Sequence, residues 1–591
     1  MKIVFHSLSI APRLLVLFML LTVLAGDPVQ AQAPAADRAR LDEIAQEAAR
    51  RFVETRDAAG AAPGLSQTRP TAPPPEPGRQ VDLTVADAVQ RALERNLDIS
   101  VERLNPLTFD FSIAALEANY RPTFASNFGV RSQSVFPRTQ TAGADMLVTE
   151  TLTGNTGLTQ NVKWGGGSFA VGFNNNRQAQ SDAFATRNPA INANLNATYV
   201  QPLLRSLRID TTRSQLRITA LNQEMSEIAL RGTIVRTLAN VRNAYWDLVY
   251  AIQAADVADR SLALAAKLVE DNQARVEIGT LAPLDIVQAQ AEEATRRQTV
   301  AQTVATQRTA ELALKRLIVN GTEDPYWTAR LNPVDVPTFS TDALDVAGAV
   351  RRALENRTDL QQSQRQLRAN DVSLASLTDQ RLPALDLTAS YGVAGIGGPQ
   401  FIRQSGQLGG VITQTVPSGY FDALRILRDQ TAPTWNLAVN FSYPIGTSPA
   451  DANVARARLQ QQQTIAQSRQ LELQIATDVT NAALQVESSR ERVQAASAAR
   501  AFAERRLDAE QSRFEVGLST NFFVVQAQRD LRDSQNAELR ALLDYRRAQV
   551  EFERVQEVPA GNGAGVTNIQ GGGAQAPRAN PGGGGGFGGG N

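Results

Sequence analysis

The residues that could carry reaction chemistry are few, and they exclude more than they offer. There is no cysteine, so disulfides and thiolate-bound metals are ruled out. The only histidine is His6. It lies in MKIVFHSLSIAPRLLVLFMLLTVLAGDPVQAQA, where Lys2 and Arg13 precede or flank a short apolar core at residues 14–25. This reads as a secretory signal over residues 1–33, with a small-x-small cleavage site at Val29-Gln30-Ala31 or Ala31-Gln32-Ala33. The core is too short to span a bilayer. Cleavage removes His6, and with it any Ser-His-Asp or Cys-His site and any histidine-bound metal. Gly165, Gly166 and Gly167 are as dense as a phosphate loop but lack its Lys-Ser/Thr. Acidic and basic residues number 59 each and spread along helix faces as solvated residues and intrahelical pairs. No paired-carboxylate cleft emerges, so the expectation is no enzyme and no cofactor. A net charge of zero gives no reason to expect a nucleic-acid partner.

What the chain does carry is a motif stated twice. RVEIGTLAPLDIVQAQ (275–290) and RFEVGLSTNFFVVQAQ (513–528) share R-x-E-[IV]-G at one end and V-Q-A-Q at the other. A second pair opens each copy. LTVADAVQRALE starts at Leu83 and LDVAGAVRRALE at Leu344. Thr84 and Asp345 stand at helix N-cap positions, with Asp87 at capping-box spacing from Thr84. Val85, Ala88, Val89, Ala92 and Leu93 share one helical face. Pro122 and Pro383 then stop a helix and open an extended segment.

The elements that must position the duplicated motif follow from pattern. FASNFGVRSQSV (124–135) and ALDLTASYGV (384–393) alternate apolar and polar residues, as a strand with two unlike faces does. TGLTQNVKW (156–164), SFAVGFNNN (168–176), NANLNATYVQP (192–202) and WNLAVNFSYP (435–444) are further strand candidates. Trp164, Tyr199, Trp435 and Tyr443 sit near strand ends, where a lipid-facing barrel carries its aromatic girdle, or a soluble sandwich its edge. After Pro202 and after Pro449 come long proline-free tracts rich in Ala, Gln, Arg, Leu and Glu. Each is interrupted by a glycine of the duplicated motif, Gly279 or Gly517. These glycines suit the left-handed end of a helix, and Pro283 suits the first turn of the next. Asp285 lies in that first turn, where a negative charge is favourable. Return helices are expected over 283–318 and 520–556, so the motif marks where each long helix turns back.

The domain plan is a 34–80 Ala/Pro-rich linker, with a short helix at 36–57, then a first repeat over 81–320. That repeat has strands at about 122–202 and long helices over 203–318. A linker at 321–341 leads to a second repeat over 342–558, with strands at about 383–444 and long helices over 447–556. A Gly-rich tail at 559–591 is expected to be disordered. The fold class is mixed α and β, with two internal repeats.

Residues 81–556 resemble the TolC-like outer-membrane efflux protein family. The resemblance rests on the paired openings, the paired tips, NAYWDLVYA (243–251), and QPLLR (201–205) with its counterpart YPIG (443–446). It implies a homotrimer whose strands close one β-barrel in outer-membrane lipid and whose helices continue it as a long periplasmic α-helical barrel. The implied function is a passive exit duct of an efflux or type I secretion system in a Gram-negative bacterium. Its implied partners are a periplasmic adaptor protein and an inner-membrane transporter. Carried over, Gly279, Thr280 and Leu281, with Gly517, Leu518 and Ser519, become adaptor-binding tip loops. Some members carry aspartates at the constricted mouth, on the second return helix. Here Phe523 and Gln526 stand in their place, with Asp285 and Gln288 on the first return helix. An acidic gate is therefore in doubt, and a hydrophobic constriction is one alternative. The other is that Phe522 or Phe523 simply packs between helices. The family plan has two strands per repeat; four strands per chain are expected, and VKWGGGSFAV (162–171) either adds a hairpin to the wall or folds outside it. A secreted periplasmic coiled-coil scaffold is the alternative outside the channel class.

Overall fold

The computed structural model describes residues 80–559, apart from 137–145, 183, 279–281, 337–338, 340–342, 405–410 and 447. It also describes Phe339 and four positions of the expected 36–57 helix, Arg40, Glu43, Gln46 and Glu47, which are helical. The signal, the rest of the first linker, the tail from 560 and the tip residues Gly279, Thr280 and Leu281 lie outside the described residues.

Each copy begins with short helices that the capping residues start. In the first, β1 (Gln80–Leu83) leads into α1 (Val85–Arg95), α2 (Leu97–Glu102) and α3 (Leu104–Ala118). The Thr84 hydroxyl accepts the Asp87 backbone N–H at the start of α1, as its spacing predicts. Ala88, Val89 and Ala92 form the buried stripe. The second copy starts with α7 (Val346–Asn356) and α8 (Thr358–Asp379), where the Asp345 carboxylate accepts from the Gly348 N–H.

Six strands then form one fully antiparallel sheet. They are β2 (Thr123–Val135), β3 (Leu147–Asn161), β4 (Ser168–Gln180), β5 (Ala190–Pro202), β7 (Ala384–Gly397) and β10 (Pro433–Ser442). Their order is β10-β7-β5-β4-β3-β2. The expected four strands are thus six, because the 162–171 hairpin joins the wall, with Gly165, Gly166 and Gly167 in its turn. The strand around 156–164 is also longer than expected. It starts at Leu147 and ends before Lys163 and Trp164.

Register decides which side chains share a face. Phe124, Leu158, Val171, Ala197, Tyr391 and Trp435 lie directly opposite one another across all six strands. On the other face, Asn127, Asn155, Asn174 and Asn194 form an equally regular row. The sheet therefore has one apolar and one amide-rich face. The apolar face is not a covered core, since Phe128 is 77% and Trp435 75% exposed.

Between β7 and β10 lies an insertion that the sequence did not announce. It holds β8 (Gln400–Arg403), β9 (Ile412–Val416) and α9 (Tyr420–Arg428). Helix α9 packs on the apolar-face side of β7 and β5. A Cβ on Gly395 would meet the Ala423 carbonyl oxygen at 2.0 Å, so only glycine admits this approach.

From the sheet hang two long helical hairpins. In the first copy α4 (Thr211–Glu277) is followed by α5 (Pro283–Ile318). In the second, α10 (Pro449–Glu515) is followed by α11 (Asn521–Arg554). Both first arms are 67 residues, about 100 Å at 1.5 Å per residue. Asp210 caps α4, and Ser448 and Asp451 form a capping box at α10 with Pro449 at its first turn. Two short elements, α6 (Pro325–Thr328) and β6 (Arg330–Pro333), bridge the copies, and β6 pairs in parallel with β1.

The main core gathers where NAYWDLVYA crosses this bridge. Ala244, Tyr245, Leu248 and Val249 pack with Leu314, Ile318, Leu331 and Val558. The Tyr245 hydroxyl is within hydrogen-bonding distance of the Leu83 carbonyl (2.9 Å) and the Asp335 carboxylate (3.0 Å). Burial pushes its ionisation well above the ordinary phenol range. A second core holds Ile475, Val479, Val486 and Tyr545. Tyr245→Phe removes both contacts and the acceptor of the Asp335 backbone N–H, which donates to the hydroxyl at 3.2 Å, and is expected to cost about 1–3 kcal/mol. A lowered denaturation midpoint of the helical signal checks this, and an unchanged midpoint refutes it.

Candidate functional site: the paired helical tips

The far ends of the two hairpins meet, and the duplicated motif is what brings them together. The guanidinium of Arg275, first residue of one motif, lies 4.4 Å from the ring centre of Phe514, in the other. It also donates to the Phe514 carbonyl at 3.3 Å. Phe514 closes a small apolar cluster with Leu268 and Val524.

The second tip is built as its glycine suggests. Gly517 has φ +77. The Leu518 N–H reaches the Arg513 carbonyl at 2.8 Å and the Gly517 N–H the Phe514 carbonyl at 3.2 Å. That is a Schellman ending, which satisfies carbonyls the helix leaves open. Leu518 is then left 80% exposed. The Ser519 hydroxyl donates to Glu510 at 2.8 Å, tying the loop to α10. Thr520 holds the N-cap position of α11 without a side-chain bond. At the first tip Pro283 occupies the first turn of α5, and Asp285 falls in that turn, as its sequence predicts.

The four aperture candidates divide. Asp285 lies in the first turn of α5, and its carbonyl accepts from the side-chain amide of Asn521, the first residue of α11, at 3.5 Å; Gln526 lies in the second turn of α11. Gln526 is engaged with Asp530 at 2.8 Å, and Gln288 is exposed. Phe522 and Phe523 contact each other edge to face at 5.6 Å. Within the single chain they are 61% and 50% exposed. Their positions in the first turn of α11 point them past the apolar seam that Val524 fills.

The group that sequence reasoning missed is an ion cluster one to two turns further in. Glu292 of α5 accepts from both Arg296 and Arg529 of α11. The Arg529 Nε lies 3.2 Å from each carboxylate oxygen, a forked approach. Glu292 and Arg296 are buried, at 7% and 2% exposure. Burial alone would raise the Glu292 pKa, but the two guanidiniums outweigh it and hold the group below its ordinary value. Burial lowers Arg296, with Arg532 nearby adding to the effect. The only sequence signal for this cluster was a Glu-x-x-x-Arg pair, which many solvated helix faces carry.

Among the described residues no cluster of metal-ligating side chains occurs, and no helix is long and apolar enough to cross a membrane.

A depressed carboxylate stabilises above its unfolded pKa, and the contribution is lost as pH falls through the lower folded value. The α5–α11 contact is therefore expected to hold at neutral pH and to loosen only below the ordinary glutamate range. Arg529→Ala is expected to loosen it at neutral pH. Hydrogen exchange at residues 285–296 and 521–533 checks both. Faster exchange confined to these segments supports the clamp, and unchanged exchange in the variant removes it.

The chain matches the family described as outer membrane efflux protein over residues 168–320 and 349–555, together well over half its length. Among solved structures it is similar to the Campylobacter jejuni CmeC outer membrane channel, at 14% identity and a TM-score of 0.55, covering 80% of this chain and 85% of that one. The Neisseria gonorrhoeae MtrE outer membrane channel, solved in an open state, aligns at 19% identity and a TM-score of 0.53, covering 80% and 89%. A membrane protein from Pseudomonas aeruginosa aligns at 16% and 0.58, covering 80% and 93%. At these identities the likeness is one of fold. No match is found among curated proteins.

Proposed function

The chain belongs to the outer membrane efflux protein family, and on that premise we propose that it is the passive exit duct of a tripartite efflux or type I secretion assembly. The protein is an outer-membrane protein whose helices extend into the periplasm. The observation that carries the duct reading is the two-faced sheet standing on two hairpins about 100 Å long. In a bilayer the Phe124–Trp435 row faces acyl chains and the asparagine row faces a wet lumen. A soluble scaffold would have no reason to leave Phe128, Trp435 and Phe441 exposed on one face.

In this reading three copies assemble, and their hairpins pack into a tunnel. The tips, with Gly517, Leu518, Ser519 and the first-copy residues Gly279, Thr280 and Leu281, meet a periplasmic adaptor. That adaptor joins the duct to an inner-membrane transporter, which supplies the energy. Exposed Val516 and Leu518, at 70% and 80%, give the second tip an apolar contact surface. Asp285, Gln288, Phe523 and Gln526 line the narrow end, and the Glu292–Arg296–Arg529 cluster clamps one hairpin to the other behind them.

Extraction from outer membranes in mild detergent, with the mass corrected for bound detergent, is expected to give three times the chain mass. A water-soluble monomer would remove the duct and restore the scaffold. Leu518→Glu is expected to leave that trimer intact and to cut the amount of co-purified adaptor at least tenfold, on the scale of about 1.4 kcal/mol per decade. Undiminished adaptor recovery would place docking elsewhere.

A further inference from the structure

The sheet ends on two open edges, and their lengths, faces and directions match each other. Among the described residues β2 has no partner along its outer side, and neither has β10. Both strands are exposed almost throughout. An unpaired edge cannot remain in the hydrocarbon of a bilayer, because each orphan N–H and C=O costs several kcal/mol there. Six strands are too few for one chain to close on itself, since the smallest membrane barrels have eight.

The two edges fit a second copy of the same chain. The sheet alternates direction through six strands, so β2 and β10 run in opposite senses. Set side by side, they continue the antiparallel order. Their faces agree as well. Phe124, Phe128 and Val130 of β2 lie on the apolar face, as do Trp435, Leu437, Val439 and Phe441 of β10. Asn127 of β2 and Asn436 and Asn440 of β10 lie on the other face. Pairing in either odd register would put a phenyl ring in the lumen, so parity restricts the join.

Resting on the trimeric duct reading above, we propose that β2 of each copy pairs with β10 of the next, closing an eighteen-stranded barrel. A barrel with two strands per repeat would have twelve. The extra six strands come from β3 and β4, the arms of the 162–171 hairpin. At a strand spacing of about 4.8 Å and a tilt of about 40°, eighteen strands enclose a ring about 36 Å across at the backbone, against about 24 Å for twelve. The lumen is then porin-like in width while the helical tunnel keeps four arms per chain. Its wall carries amides and hydroxyls, with Arg131 near one end and Asp386 near the other as the only charged residues of these strands on that face. The barrel would impose little selection by charge or size, leaving discrimination to the tips.

The register of the join can be narrowed. At the hairpin-proximal end, each strand pair within the sheet begins within two residues of its partner's limit. The same habit places Ala125, on the asparagine face, opposite Ala438, Asn440 or Ser442. The absence of native cysteine makes this testable without background.

The experiment uses the full-length protein purified in mild detergent. Three double variants are oxidised and run without reductant: Ala125→Cys with Ala438→Cys, with Asn440→Cys, or with Ser442→Cys. At least one is expected to give a reductant-sensitive ladder ending at three copies. Single variants, and Ala125→Cys with Leu437→Cys on the opposite face, are expected to give none. A trimer that forms but cross-links in no pair overturns the β2–β10 join and leaves the duct standing. A ladder that stops at two copies overturns threefold closure. Absence of any membrane-extracted oligomer overturns both readings. Electron cryomicroscopy of the unmodified protein in a lipid nanodisc counts the strands directly: eighteen supports the proposal and twelve defeats it.

Discussion

A strand in a bilayer must have a hydrogen-bonded neighbour on each side, and the sheet of this chain is arranged around that demand. Inside the sheet the demand is met by five antiparallel ladders in unbroken register. Register in turn fixes what faces what, since a slip of one residue would exchange the phenylalanines with the asparagines. In the proposed barrel the wall can therefore be thin, one sheet whose exposed apolar face is left for lipid to cover. Helix α9 respects the same division: it rests on the apolar-face side at the end of β7 and leaves the amide face open.

The helical half answers a different constraint. Two 67-residue helices cannot be held by their ends alone, and their alanine-rich faces need close neighbours along the whole length. About midway along the arms this is supplied by two apolar cores. Near the tips the apolar material thins to Leu268, Phe514 and Val524, and polar contacts take over. A forked Arg–Glu contact is geometrically specific in a way that a small apolar seam is not. It fixes one hairpin against the other at a point where packing alone would let them slide.

Much of this architecture was legible because the chain states its plan twice. The repeated openings gave the short helices, the repeated R-x-E-[IV]-G gave the turn-back, and proline-free tracts gave the arms. Return helix α5 begins at the predicted proline and ends at the predicted residue. The strands were harder. Residues 147–155, VTETLTGN among them, carry too few apolar residues to announce a strand, because Thr149, Thr151, Thr153 and Asn155 serve the amide-rich face there. α9 was missed because it is short and lies inside an insertion that only one copy has. The Glu292–Arg529 contact joins residues 237 apart, and nothing in either neighbourhood points to the other.

In the duct proposed above, the departure from an acidic mouth and the nearly uncharged barrel wall belong to one electrostatic arrangement. A wide lumen lined by amides exerts little force on a solute, charged or not, because its walls hold few charges and its centre is water. Selection must then occur where the duct is narrow. At the proposed narrow end the chain offers two rings beside the single carboxylate of Asp285: Phe522 and Phe523 are exposed within the single chain, at the first turn of α11, and the buried Glu292 is committed to two arginines. A narrow apolar collar excludes ions by dewetting and needs no charge of its own. It would open by separating helices rather than by titration, and the clamp that resists such separation sits one to two turns behind it. If the rings form the proposed gate, gate and clamp share α11, so movement of α11 away from α5 would act on both at once.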